Sequence, residues 1–597
     1  MDRKSILGVV GCIIAFVIWQ FVIVPKYWPP KPMPLATNTA TNGVAQGPRT
    51  NGVNATQQPE QATQTAAATP APATQLMVNT NIPEQLLVIT NENARYTFSS
   101  WGGGLKQIEL VNFPETVPSW RNRRAKAGGV ATLNSYTPSP TLSILGESGL
   151  EGDGIFTLTR TANGVRAEKT LTNGLTIVKQ FSLATNFLVD ATVSLQNHSA
   201  KPLSLSQQEW TIGTATPMSE DDRGTYYIGL IWSDVKTHSV NGSSYFSSHR
   251  FGCVPRIPPT EYLVNATNIS WAAVHNQYFA LAVIPHDTPS GIVMRQVDLP
   301  RPADEEMPMY SSNGYTAALI YPAMTLSTNK AVERQFVIYA GPKEYHLLAR
   351  VASALNNNLD SIMDFGFFAF FAKALLLAMN FLHNALWVPY GWGIVVLTII
   401  LRVMFWPLTA AGTRSMKRMQ ALQPQVNALK EKYKDDPMKL QKKQMELWKE
   451  HKINPLGSCL PALVQWPVFF GFYRMIRYAI ELRGAHFLWV TDLSKPDTLF
   501  LIPGTSVPFN LLPLLMGGVM VWQAHLTPAS PSMDASQQKM MRYMPALFLL
   551  LLYNYSSGMA LYMFVSTLLG VVQTKMTKTN APAPATPALT PPPKKKK

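Results

Sequence analysis

The sequence predicts a membrane protein in two parts: an α-helical polytopic core with six spans in total, and a large antiparallel β-sandwich outside the membrane. The first observation is composition, because a 597-residue chain that is 46% hydrophobic and 14% charged is low in charge for a soluble protein. The second is that long apolar runs are confined to residues 1–24 and 364–576. The third is that the residues between them form short segments of alternating polarity, the pattern of half-buried strands.

The N-terminus reads as a membrane anchor. Arg3 and Lys4 precede an apolar run that ends at Val24, and Pro-Lys-Tyr-Trp follows instead of a small-x-small cleavage site. Residues 1–24 are therefore predicted to be a retained signal-anchor transmembrane helix. Residues 25–80 are rich in Thr, Ala, Pro, Gln and Asn and cannot bury a core, so they are predicted to be a flexible linker.

Residues 81–350 are predicted to form the sandwich. Segments such as LTIVKQFSL and FLVDATVSL alternate in polarity or are rich in β-branched residues. Asn-Gly pairs that start at residues 163, 173, 241 and 313 mark predicted turns, since such a pair suits the positive φ angles of a tight hairpin. One large antiparallel sandwich accounts for this pattern.

The sequence carries no motif typical of catalysis. We find no nucleophile elbow, no zinc-protease helix and no phosphate-binding loop. Two of the three cysteines, Cys12 and Cys459, fall in apolar segments, so neither a disulfide framework nor a zinc site is expected. We therefore expect no enzyme activity, no metal and no cofactor.

The apolar run at residues 388–411 carries a single charge, Arg402, near its middle. The run is long enough to cross about 30 Å of hydrocarbon as a helix. An arginine at the centre of a span costs about 2.5–3.5 kcal/mol on insertion scales, whereas each Ile, Leu, Val or Phe returns about 0.3–0.6 kcal/mol. The helix can insert, but Arg402 is expected to face protein or water and not lipid.

Charge placement predicts the orientation of the core. Residues 413–454 are strongly basic and belong in the cytoplasm by the positive-inside rule. With a cytoplasmic N-terminus, one crossing must lead out to the sandwich and one must return before this basic loop. The apolar segment 361–387, interrupted by Lys373 and His383, is therefore predicted to be an amphipathic interfacial helix on the outer face, and not a span.

The basic segment 413–454 is itself predicted to be a helical hairpin. Its first helix has an apolar stripe at three- and four-residue spacing, formed by Met419, Leu422, Val426, Leu429 and Tyr433. Asp436 and Pro437 are suited to cap and begin the second helix. A solvated charged face without a partner is one interpretation of the lysines. The formal net charge of +16 suggests instead an acidic partner such as RNA or anionic lipid.

Four further spans are predicted, at residues 456–480, 509–525, 541–553 and 558–576. The last two are joined only by NYSS, so they form a tight helical hairpin. With the arginine-bearing helix they make a five-helix core at 388–576. A Pro-rich basic tail at 577–597 places the C-terminus in the cytoplasm as well. The tail ends in Lys594, Lys595, Lys596 and Lys597.

Several long segments of the core resemble one known family. These are GWGIVVLTIILRVMFWPLT, INPLGSCLPALVQWPVFFGFYRMI, ELRGAHFLWVTDLS and MRYMPALFLLLLYNYSSGMALYMFVS, in that order. They are similar to the core signatures of the YidC-type membrane protein insertases of Gram-negative bacteria, the YidC/Oxa/Alb family. The resemblance implies a multi-pass protein of the cell inner membrane with a periplasmic β-sandwich of galactose-mutarotase-like type.

The resemblance also implies a water-filled groove that is open to the cytoplasm and to lipid. Its single arginine corresponds to Arg402, with polar positions at Thr398 and Gln465. Tyr562 is expected to contact the substrate through its ring. The sequence departs from the pattern at Met563, where some relatives have a second tyrosine.

The implied function is that of an insertase and chaperone that inserts and folds inner-membrane proteins, alone or with the Sec translocon. The implied partners are nascent membrane proteins, the Sec translocon, the ribosome, the signal recognition particle receptor and anionic lipids. Docking of ribosomes or targeting factors is predicted at the hairpin and the tail, through Lys430, Lys432, Lys434 and the four terminal lysines.

Two other functions compete with this prediction. A membrane transporter or channel could use Arg402 to bind an anionic solute, but the core shows no inverted repeat and no paired broken helices. A membrane-anchored periplasmic carbohydrate enzyme is the third hypothesis. Extra residues near 504–510, before the fourth span, have no role in any of the three.

Overall fold

The computed structural model describes residues 76–577, except 77, 118–128, 136, 138, 146–149, 219–226, 251–253, 300–312, 435, 452–459, 504–506 and 527–534. The predicted signal anchor, nearly all of the predicted linker, and the four terminal lysines Lys594, Lys595, Lys596 and Lys597 lie outside the described residues.

Short strands dominate the first half of the described chain, as their alternating sequence predicts. The strands are β1 Leu86–Thr90, β2 Ala94–Ser99, β3 Gly104–Pro114, β4 Val130–Leu133, β5 Ile144–Leu145, β6 Thr157–Thr161, β7 Gly164–Thr170, β8 Leu175–Leu183, β9 Leu188–Asn197, β10 Leu203–Leu205, β11 Gln208–Ala215, β12 Gly229–Ser233, β13 Thr237–Asn241, β14 His249–Arg250, β15 Val254–Pro255, β16 Glu261–Val264, β17 Trp271–His275, β18 Phe279–Pro285, β19 Gly291–Asp298, β20 Asn313–Tyr321, β21 Met324–Leu326, β22 Ala331–Pro342, β23 Thr498–Leu501 and β24 Pro508–Asn510.

Two large sheets form the sandwich. The larger has the order β13-β12-β17-β18-β22-β9-β8-β7-β6, and the smaller has the order β16-β19-β20-β11-β5. Neighbouring strands pair antiparallel in both. The ring of Trp210 on β11 lies 5.4 Å from the ring of Phe336 on β22, so the sheets pack face to face. The predicted large antiparallel β domain is confirmed.

The Asn-Gly turn predictions were half right. Residues 163–164 and 173–174 lie at the β6–β7 and β7–β8 hairpins, and Gly174 has a φ of 83°. Asn241 instead caps a helical turn, Gly242–Tyr245, by accepting a hydrogen bond from the Ser244 amide. Asn313 begins β20, where a Cβ on Gly314 would come within 3.0 Å of side chains from neighbouring segments, so glycine is needed there for packing.

Helices make up the second half of the chain. Among the described residues, three short 3₁₀ segments lie between them, Leu359–Met363, Gly366–Phe368 and Ile480–Leu482. The helices are α1 Tyr345–Ala354, α2 Ala369–Leu386, α3 Tyr390–Met404, α4 Trp406–Ala421, α5 Gln423–Lys432, α6 Pro437–Glu450, α7 Leu460–Tyr478, α8 Leu511–Leu526, α9 Ala535–Leu552 and α10 Ser557–Met576.

The arginine-bearing run is not one straight helix. It is split into α3 and α4, which meet at Phe405 with a bend of 62°. Pro407 lies in the first turn of α4, and a proline there lacks the amide that a continuous helix would need. Arg402 therefore lies in the last turn of α3, beside the bend. A cation is favourable at the C-terminal end of a helix.

The number of spans remains a prediction. By length and composition alone, Gly366–Leu386 and Ser557–Met576 could cross a membrane, and the bent pair α3 and α4 could together form a third crossing. Two other apolar helices, Leu511–Leu526 and Tyr543–Leu552, are shorter. Because Gly366–Leu386 has the composition of a span, its predicted position on the outer face also awaits a test.

The basic segment contains α5 and α6. The Asp436 carboxylate accepts a hydrogen bond from the Lys439 amide at 3.0 Å and caps α6. Met419 and Leu422 are buried against Leu447 and Trp448. The helix predicted to run on through Tyr433 is interrupted at Leu422, because Pro424 lies in the first turn of α5.

A buried polar junction joins the sandwich to the helical core. Lys343, which follows β22, is fully buried, and its Nζ donates to the Asn276 carbonyl at 2.6 Å. Burial lowers the pKa of Lys343 to about 7, although the negative charge of Asp364 acts in the opposite direction and raises it. The Gln277 side chain donates to the carbonyl of Arg477 in α7 at 2.9 Å. The sandwich thus rests directly on the C-terminal end of α7.

Candidate functional site

The candidate site begins with the polar face of α3. Thr398 and Arg402 are four residues apart and share that face. Thr398 is buried, and its hydroxyl donates to the Ile394 carbonyl of its own helix at 2.6 Å. The hydroxyl therefore satisfies its hydrogen-bonding need locally, and it lines the site without holding Arg402.

Arg402 is held by α10. Its Nη2 donates to the carbonyl of Ser566 at 2.6 Å and to the Ser566 hydroxyl at 2.9 Å. Its Nε is buried and has no hydrogen-bond partner among the described residues. Within that part of the chain, no carboxylate forms an ion pair with the guanidinium, so the group keeps an uncompensated positive charge.

Gln465 and Tyr562 form the opposite wall. The Gln465 side chain on α7 donates to the Tyr562 hydroxyl on α10 at 2.5 Å. The Tyr562 ring stacks on Phe472, with ring centroids 4.2 Å apart. Tyr562 is only 2% exposed, so its ring is part of the wall in this state and is not open to a ligand.

These four predicted residues line a single narrow cavity. It has about 10 Å³ of space, which is enough for roughly one water molecule. The remaining lining residues are Leu401, Phe405, Thr409, Val468 and Ser566. We call this site the arginine pocket. The structure brings the predicted groove residues together, but the pocket between them is closed.

Sequence reasoning missed Ser566 and Gly570. Both lie on the same face of α10 as Tyr562, at successive four-residue steps, and this spacing was the available signal. A Cβ placed on Gly570 would lie 2.9 Å from Gln523 Nε2 and 3.5 Å from Arg402 Nη2. The missing side chain of Gly570 therefore leaves room for Arg402 and for Gln523 of α8.

The end of α10 also binds the start of the basic segment. The Gln573 side chain is buried and donates to the Trp406 carbonyl at 3.3 Å and to the Thr409 hydroxyl. Lys417 Nζ donates to the carbonyls of Thr574, at 3.1 Å, and Thr577, at 2.6 Å. A lysine is a favourable cap for the last carbonyls of a helix. One helix, α10, thus contacts both Arg402 and α4.

The predicted docking lysines lie outside the arginine pocket. Lys432 ends α5 and Lys434 follows in the turn to α6, and both are exposed, while Lys430 is half-buried. They form part of the polar surface of the hairpin. In the part of the chain that the structure describes, no cluster of His, Cys, Asp and Glu could hold a metal ion.

Two family models match the chain. One is described as the 60Kd inner membrane protein and matches residues 381–583. The other is described as the YidC periplasmic domain and matches residues 86–378. The first range contains the helical core with the arginine pocket, and the second contains the sandwich.

Curated relatives match over nearly the whole chain. A protein of Pelobacter propionicus named membrane protein insertase YidC is 30% identical over 590 residues, which cover 96% of this chain and 98% of that protein. A protein of the same name from Syntrophus aciditrophicus is 28% identical over 591 residues, again covering 96% of this chain and 98% of that protein.

Solved structures are similar at lower identity. A crystal structure described as an active YidC insertase with its first transmembrane domain resolved is 19% identical, with a TM-score of 0.33. The match covers 84% of this chain and 95% of that one. A galactose mutarotase related enzyme from Lactobacillus acidophilus is 9% identical, with a TM-score of 0.26, and covers 43% of this chain and 97% of that one.

Proposed function

Because this chain belongs to the YidC family of membrane protein insertases, we propose that its arginine pocket is where the polar tail of a nascent membrane protein enters the membrane. The observation that carries the proposal is the buried Arg402 guanidinium, which α10 holds in place without a carboxylate partner. A buried guanidinium without an acidic partner attracts an acidic side chain of the substrate.

The physical benefit of the pocket lies in the desolvation of the tail. An isolated charge pays a large penalty in hydrocarbon unless it is paired and hydrogen-bonded. Arg402 pairs with an acidic side chain of the tail and shortens the apolar distance that the tail must cross. Insertion then needs no covalent chemistry and no nucleotide, in keeping with relatives that are named insertases.

The surface beside the pocket supports a lateral path into lipid. Val403 and Met404 follow Arg402 and are 63% and 56% exposed, and Trp466 follows Gln465 and is 60% exposed. Each wall helix thus carries polar residues toward the pocket and large apolar residues outward. The apolar helix of the substrate slides out along this lip, and its burial in lipid drives the reaction.

The closed pocket must open before a tail can enter. The Gln465–Tyr562 hydrogen bond joins α7 to α10 at the pocket, and it can be replaced by bonds to the entering tail. In the open state the pocket becomes the hydrated groove that the family resemblance implies. Tyr562 then contacts the substrate, and Thr398 lines its path.

Proteins of this family lie in the inner membrane with a periplasmic domain. We infer six spans, both termini in the cytoplasm and a sandwich of galactose-mutarotase-like type. We also infer use of the Sec translocon, the ribosome, the signal recognition particle receptor and anionic lipids as partners, together with a chaperone role in folding.

Reconstitution tests the function directly. The purified chain is placed in lipid vesicles with a labelled single-span substrate, and protection of the substrate's tail from external protease is scored. Vesicles with wild-type protein should protect the tail, and vesicles with an Arg402 variant at equal protein content should protect less. Equal protection with and without the protein would remove the proposed function.

Orientation can be tested by cysteine labelling. In a chain without the three native cysteines, a cysteine in place of Lys432 should react with a membrane-impermeant reagent only after the membrane of spheroplasts is broken, because the positive-inside rule places the hairpin in the cytoplasm. A cysteine in place of the exposed Ala200 in the sandwich should react in intact spheroplasts and serves as the control. Reaction of both positions in intact spheroplasts would place the hairpin on the same side as the sandwich. An even number of crossings would then separate them, so Gly366–Leu386 would cross the membrane in addition to the bent pair α3 and α4.

Ribosome docking should depend on the basic surface. Removal of residues 581–597, or changing Lys430, Lys432 and Lys434 to glutamine, should weaken ribosome co-sedimentation at low salt and flatten its salt dependence, since fewer phosphates are neutralised. Insertion of a short substrate added after translation should be nearly unchanged. The charge-neutral control changes Lys443 and its ion-pair partner Glu446 to glutamine together. Equal ribosome binding by all variants across a salt series would exclude this docking surface.

A further inference from the structure

Two short strands before α8 form a small apolar ribbon. Strands β23 and β24 pair antiparallel, and the ring of Phe500 stacks on that of Phe509 with centroids 4.8 Å apart. We call residues 498–503 and 507–510 the apolar ribbon. Its large exposed apolar side chains are Phe500 at 52%, Leu501 at 37%, Ile502 at 38% and Val507 at 50%.

The base of the apolar ribbon is firmly held. The Tyr553 hydroxyl donates to the Pro508 carbonyl at 2.8 Å and accepts from the Asn510 amide at 3.1 Å. The Asn510 side chain donates to the Tyr553 carbonyl at 2.9 Å, and the Asp497 carboxylate accepts from the Leu512 amide at 2.6 Å. The ribbon is thus anchored by the end of α9 and the start of α8, and its apolar side chains are held outward.

The position of the apolar ribbon points to lipid. It leads directly into the apolar helix α8, where Leu514 and Leu515 are exposed. It also lies on the side of the sandwich, because Arg483, between α7 and the ribbon, donates to the Glu115 carbonyl of the sandwich at 2.7 Å. The apolar surface of α8 therefore continues into the ribbon at the edge of the membrane that faces the sandwich.

We propose that the apolar ribbon inserts its side chains among the acyl chains of the leaflet on the sandwich side. Continuous apolar surface at the rim of a membrane protein favours this partner over water, because exposing it to water carries a cost that lipid removes. The ribbon then fixes the depth of the α8–α9 pair and supports the sandwich above the bilayer. This role is independent of substrate entry at the arginine pocket.

Fluorescence quenching in the full chain tests the proposal. In a protein without native cysteines, Val507→Cys carries an environment-sensitive dye. The protein is reconstituted in phosphatidylcholine vesicles, with or without lipids that bear a nitroxide on the acyl chain near the headgroup. The control is Ala200→Cys, in the turn between β9 and β10. That turn lies beside the start of β22. The other end of β22, at Pro342, adjoins the helical core and lies about 36 Å away along the strand.

The dye at position 507 should emit at shorter wavelength than the dye at position 200 and lose most of its emission to nitroxide lipid. The dye at position 200 should instead be quenched by aqueous iodide. Leu501→Cys supplies a second reporter on the other strand if the first variant folds poorly. Quenching of both ribbon dyes by iodide but not by lipid would overturn the proposal. Protection from both quenchers would also overturn it, since protein would then cover the ribbon.

Discussion

Replacing Arg402 with glutamate is expected to reduce insertion of a substrate with an acidic tail more than alanine does, and lysine should retain much of the activity. Alanine removes the positive charge and the bonds to Ser566. We expect the insertion rate to fall roughly tenfold or more. The reason is that the lost hydrogen bond between the guanidinium and an acidic tail residue, as a bond to a charged group, is worth about 1.5–3 kcal/mol. Glutamate adds repulsion, whereas lysine keeps the charge without the planar fork of the guanidinium.

The measurement is the initial rate of tail protection in reconstituted vesicles, normalised to folded protein. The matched control is Ile400→Ala, on the exposed side of α3 that faces away from Arg402, which should insert like wild type. If Arg402 served only as an anchor between α3 and α10, the three variants would lose thermal stability and abundance together. Normal folding with unchanged insertion in the glutamate variant would exclude Arg402 from the mechanism.

Gly570→Val is expected to lower insertion several-fold without a charge change at Arg402. The added side chain would collide with Gln523 and press on the guanidinium, because a Cβ at this position lies 2.9 Å and 3.5 Å from their nitrogen atoms. Overpacking of this kind typically costs about 1–3 kcal/mol. The displaced Arg402 would lose its bonds to Ser566, so the rate of tail protection should fall.

The control for this prediction is Gly518→Val in α8, where an added Cβ meets nothing within 4 Å. It carries the same change in helix propensity at a glycine of another apolar helix. Changing Gln523 to alanine in the Gly570→Val protein should restore part of the rate by relieving the collision. An equal loss in both valine variants would attribute the effect to helix propensity and not to the pocket.

The sandwich was predictable because its signals are local. Strand alternation has a period of two, and a pair such as Asn173-Gly174 marks a turn through the conformational freedom of Gly174, whose φ is 83°. The same pair at Asn313 begins a strand, because the packing around Gly314 requires a residue without a side chain. Local sequence identifies a glycine, but only the tertiary neighbours decide whether it serves a turn or a contact.

The candidate site was predictable in part. The cost of an arginine in an apolar run predicts that Arg402 faces away from lipid, but it does not identify Ser566, which lies 164 residues further along the chain. The bend at Phe405 did have a local signal in Pro407. The prediction missed it because it treated residues 388–411 as one helix from their apolar composition. The closed state of the pocket depends on side chains from four helices, so no single segment of sequence contains it.

Crossing the charge at position 402 with the charge of the substrate tail tests the central claim most directly. Wild-type protein and the Arg402→Glu variant are each reconstituted with substrates that differ only in having acidic, neutral or basic tail residues. If Arg402 attracts the tail, wild type should insert the acidic tail faster than the basic one, and Arg402→Glu should reverse that order. The same order of tails with both proteins would contradict electrostatic attraction by Arg402.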